Sequence, residues 1–145
     1  MMRTRDCTAD AEALFHRFAQ RHCLAFDVDV HAPVELLWNF PVQNRLVHPI
    51  ILGLQNGDEL NFGVSDFWSY FFPFADVAAQ FERTIDAWIV GDARLAVTGP
   101  RGRVLQVRER QRWKSVYSAN RMLPVWREPK RTIDNRAANS FINPK

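Results

Sequence analysis

Apolar positions at spacings of three and four run through residues 10–22. Ala11, Leu14, Phe15 and Phe18 share one side, which predicts a helix buried along a stripe. Thr8 or Asp10 is placed to cap its start, and Arg17, Arg21 and His22 suit the negative end of its dipole. At Leu24 the period changes to two. Leu24, Phe26, Val28 and Val30 fall on one face and Ala25, Asp27 and Asp29 on the other, the pattern of a half-buried strand that Ala32-Pro33 breaks. Val34–Phe40 fits a helical turn or a strand equally well, and Pro41 ends it.

Two apolar runs, 49–54 and 59–64, flank Gln55-Asn56-Gly57-Asp58. Asn-Gly supplies two positive φ angles, so an antiparallel hairpin is expected. Residues 67–72 follow, with aromatics on both faces, as in a strand covered on both sides, and Asp66 marks a bend before them. Pro73 or Asp76 then opens a second helix. Phe74, Val77, Ala78, Phe81, Ile85, Trp88 and Ile89 form its stripe, and Gly91 terminates it. Residues 93–98 and 103–110 read as a hairpin around Gly99-Pro100-Arg101-Gly102. Residues 110–117 suit a continued strand or a helix. From Ser118 the periodicity dissolves.

Helix, antiparallel strands, helix, hairpin and tail make an α+β fold. The expectation is a single domain, with an antiparallel sheet of about five to seven strands and two main helices on one face. Residues 1–117 form the compact part, and 118–145 a polar, basic, proline-containing tail or arm. At 145 residues the chain is long enough to bury about two thirds of its surface.

Charge adds an asymmetry. Residues 1–100 carry 7 Lys/Arg against 13 Asp/Glu, and residues 101–145 carry 12 against 3. Such a basic end meets either the acidic body or something anionic. The short apolar runs supply no membrane span, and the start of the chain lacks the apolar stretch of a signal peptide. Cys7 and Cys23 are the only cysteines, outside any CxxC, which suits free thiols in a cytoplasmic protein.

Candidate chemistry is sparse. On a strand, Asp27, Asp29 and His31 share one face about 7 Å apart, a spacing open to a cation or to an acid–base pair, although a solvent-facing edge explains it with less. No metal or cofactor is implied, no activated nucleophile stands out, and an enzyme is disfavoured. The aromatic block at 67–74, with Trp68 and Tyr70, suits core packing better than a pocket. Period two places Arg108, Arg110 and Arg112 on one face, with Trp113 and Trp126 alongside as aromatic anchors. These five residues are the expected contact surface. If Asp27 and Asp29 lay beside the arginines in one sheet, the charge would instead be neutralised internally.

The expected role is therefore a small non-enzymatic protein-interaction module, binding or inhibitory. It is immunity- or antitoxin-like by analogy of size and class alone. Its partner is another protein, with a second copy of the chain as one alternative. Nucleic-acid binding through the Arg-rich strip, with Trp113, Tyr117 and Trp126 as stacking residues, is a second reading. A small-ligand binder or hydrolytic enzyme using Asp27, Asp29 and His31 is a third.

Overall fold

The apolar stripes and alternations sort the chain into two helices and nine strands among the residues described by the computed structural model, 6–119 and 129–136. In chain order these are α1 (Thr8–Arg21), β1 (Asp27–Val28), β2 (Leu36–Phe40), β3 (Ile50–Gln55), β4 (Glu59–Val64) and β5 (Phe67–Trp68). Then follow α2 (Phe74–Val90), β6 (Ala93–Val97), β7 (Arg103–Glu109), β8 (Arg112–Ala119) and β9 (Arg131–Asp134). The α+β class is the expected one. The strands divide between two antiparallel sheets, ordered β1-β2-β3-β4-β5 and β8-β7-β6-β9, where one sheet of five to seven was expected.

Both helices bury the predicted stripes. In α1 these are Ala11, Leu14, Phe15 and Phe18; Phe15 meets Trp38 and Phe18 meets Phe40 of β2 edge-on, each at 5.5 Å. At its first turn the Asp6 carboxylate accepts from the Thr8 amide and hydroxyl, so Thr8 is a donor there. In α2, Phe81 and Trp88 meet Phe71 and Phe62 at 5.6 and 5.4 Å, and Gly91 closes the helix with φ 86°. The Asn56-Gly57 hairpin forms as expected, with φ 53° and 78°. Both ambiguous stretches, 34–40 and 110–117, are resolved toward strand, as β2 and β8.

Three expectations need correction. The Leu24–Val30 strand reduces to Asp27–Val28, an edge that pairs with β2 alone. Leu24 is buried, but Val28 and Val30 are exposed because no described element covers the edge there. In the aromatic block, Phe67, Ser69 and Phe71 point inward, while Tyr70 and Phe72 are exposed. One side of that strand is covered, not both. The start of the tail is misplaced: β8 runs to Ala119, and β9 lies inside the expected tail, paired with β6 from Arg94↔Asp134 to Val97↔Arg131. Ile133 is buried there, and Asn135 is fully enclosed. The Asn135 carboxamide donates to the Arg45 and Ile89 carbonyls and accepts from the Val47 amide.

The two sheets share one core. Tyr117 of β8 contacts Phe67 and Phe71 at 5.8 and 5.3 Å, and Asp66 in the β4–β5 turn pairs with Arg103 of β7 at 2.8 Å. Among the described residues no helix is long and apolar enough to cross a membrane.

Candidate functional site

Two regions carry the candidate chemistry, and they lie in different sheets. The first is the β7–β8 end of the four-stranded sheet. Glu109 pairs with Arg112, so Arg110 and Gln111 alone make the turn, both left-handed with φ 49° and 67°. The turn breaks the period-two strip. Arg108 shares a face with its cross-strand partner Trp113, Arg112 lies on the opposite face with Glu109, and Arg110 stands at the tip. The three arginines are neighbours around a hairpin end instead of a row along one strand.

Their charge is not cancelled by the acidic cluster. Asp27 belongs to the five-stranded sheet, as does the Asp29 amide hydrogen bond to the Leu37 carbonyl. Among the described residues Arg108, Arg110 and Arg112 make no ion pair, and the contact nearest to one is Lys114 with Glu109 at 3.9 Å. Internal neutralisation occurs elsewhere, at the buried Arg103. Its guanidinium donates to Asp66 and to the Gly99 and Gly102 carbonyls, and it holds the Asp66 carboxyl below its ordinary value of 3.8. Trp113 is half-buried beneath the Arg94 guanidinium, which lies 4.1 Å from its ring centroid. Trp126 lies outside the described residues.

The second region is a trough of about 410 Å³ on the open side of the five-stranded sheet, away from both helices. A complete cross-strand row lines it: Asp27↔Asn39↔Ile51↔Gly63↔Trp68. The Trp68 ring lies across Gly63, where an added Cβ would come within 2.7 Å of the indole. His48, Pro49, Pro41 and Ser65 close one end. Of the predicted acidic trio, Asp27 alone lines this trough. Asp29 accepts a hydrogen bond from the His31 amide at 3.0 Å, a local turn, and His31 is exposed outside the trough. Among the described residues no group of three His, Cys, Asp or Glu side chains is arranged to hold a metal ion.

Asn39, His48 and Ser65 come from three separate segments, and their convergence depends on register that local periodicity does not encode. Gly63, inside an apolar strand run, was the one local signal of a close approach. The chain matches no family model, no curated protein and no solved structure.

Proposed function

We propose that the chain is a non-enzymatic protein-interaction module whose contact surface is the β7–β8 end, and whose partner presents an acidic surface. The observation that carries this reading is the hairpin tip itself. Arg108, Arg110 and Arg112, with Lys114, surround a two-residue turn and, among the described residues, have no carboxylate partner closer than the 3.9 Å contact of Lys114. Arginine at the centre of an interface offers planar, bidentate recognition of carboxylates. The left-handed turn adds support, because holding Arg and Gln at positive φ costs about 1–2 kcal/mol per residue that Asn-Gly would largely avoid. Strained backbone kept where an uncomplicated turn would serve is characteristic of functional loops.

A protein partner is favoured over nucleic acid by the aromatic side chains. Trp113 is packed under Arg94, and Tyr117 is packed against Phe67 and Phe71, so both rings are already engaged within the chain.

The test is affinity capture on the full chain from its own cell lysate, with and without nuclease. A stoichiometric protein should survive nuclease, and the Arg108→Ala/Arg110→Ala/Arg112→Ala variant should release it. Capture lost to nuclease moves the surface to nucleic acid. Capture unaffected by the triple substitution removes the hairpin from the interface.

A further inference from the structure

We infer that the trough on the five-stranded sheet is a binding site for a small organic amine with an aromatic or alkyl body, held by Asp27 at one end and by the face of Trp68 at the other. Its walls and charge specify that class. Among the described residues Asp27 is the only carboxylate lining it and neither Lys nor Arg lines it, so His48 is the one side chain there able to offer an anion a counter-charge. The two anchors sit in one cross-strand row. Asp27 stands three strand spacings, about 14 Å, from Gly63, over which the Trp68 ring lies.

Between them the floor is Ile51, with Asn39 beside Asp27 as a donor and acceptor that can fix the orientation of an ammonium group. Pro41 and Pro49 provide rigid apolar walls at the end where His48 and Ser65 stand. A mainly apolar cleft of this volume with a few converging polar groups has the form of a small-ligand site. The indole is available to a ligand because one face rests on Gly63 and no ring pairing occupies it among the described residues. An aromatic ring or a cation on that face gains from the quadrupole, and a carboxylate one molecule-length away selects positive charge at the far end.

The trough is a second site, opposite in charge preference to the arginine hairpin and in the other sheet.

Titration calorimetry with 6-phenylhexylamine and with 7-phenylheptanoate, which replaces the amine by a carboxylate, tests the assignment; the extended six-carbon chain lets the ammonium reach Asp27 while the ring lies on Trp68. The amine should bind the wild-type chain with a dissociation constant of about 0.1–1 mM, and 7-phenylheptanoate should not bind measurably. Asp27→Asn should weaken 6-phenylhexylamine about tenfold, while Asp27→Glu should retain most of the affinity. Asp27 is on an exposed edge strand, so both variants should keep the wild-type circular dichroism spectrum. Equal binding of the anion, Asp27→Asn affinity equal to wild type, or no binding of 6-phenylhexylamine would each overturn the proposal.

Discussion

Glu82 of α2 lies between two guanidiniums of α1. Arg17 donates to it at 2.9 and 3.3 Å, and Arg21 at 3.0 Å. The Arg17 hydrogen bonds are the largest influence and lower its carboxyl from the ordinary 4.5; partial burial opposes them and Arg21 reinforces them. A carboxyl lowered in the folded state adds stability that is fully present above pH 4.5 and is lost as pH falls through the folded value. Arg17 and Arg21 are 52% and 42% exposed, so the contribution is screened to about 0.5–1 kcal/mol. Glu82→Gln should therefore be less stable than wild type by that amount at pH 7. The gap should shrink as both proteins are taken below pH 4.5 and close once the folded carboxyl is protonated, as read by urea denaturation across the range. A gap that stays constant with pH would mean that the carboxylate charge does not hold α1 to α2.

The β7–β8 hairpin offers a second test, and it explains what the sequence pattern missed. Asn56-Gly57 announces its turn because those residues accept positive φ readily. Arg110-Gln111 adopts the same left-handed backbone without any such signal. Alternation from 103 to 112 then reads as one strand with three arginines in line, when register places Arg108 and Arg112 on opposite faces. The two helices were legible because their stripes are long and Gly91 is an unambiguous stop. The trough was not, because its lining is gathered by pairing across five strands. Replacing Arg110-Gln111 by Asn-Gly should raise the stability of the chain by about 1 kcal/mol, measured by chemical denaturation. If the hairpin is the contact surface, the same variant should bind its partner more weakly, so stability and affinity should move in opposite directions. A gain in stability with unchanged affinity would leave Arg110 outside the interface.

Residues 131–134 decide where the folded unit ends. Composition assigns everything after 118 to a basic arm, since Arg131, Thr132 and Asp134 offer no apolar run and Ile133 is isolated. Their structural role comes from backbone pairing to β6, which needs no apolar pattern, and from Asn135, a residue type that ordinarily marks an exposed turn. Asn135 is instead the point where three segments meet: the 45–47 connection, the end of α2 and the chain leaving β9. Removing its carboxamide takes one hydrogen-bond partner from the Val47 amide and from the Arg45 and Ile89 carbonyls, a loss of about 1–3 kcal/mol for each group left unpaired where water cannot reach. Truncation after residue 128 goes further, since it strips β6 of its β9 partner and uncovers the side of Leu95 that Ile133 faces across the pair. For a domain with a typical stability of 5–15 kcal/mol, both changes should be plain in denaturation curves. Asn135→Ala should lower the denaturant midpoint while unfolding stays cooperative. The 1–128 chain should fall further, with a broadened transition or none. A 1–128 chain that unfolds at the full-length midpoint would restore the arm reading and make β9 an appendage. If the truncated chain loses cooperativity, the two sheets, α2 and the last strand fold as one unit, and the arginine hairpin and the sheet trough are both fixed to it.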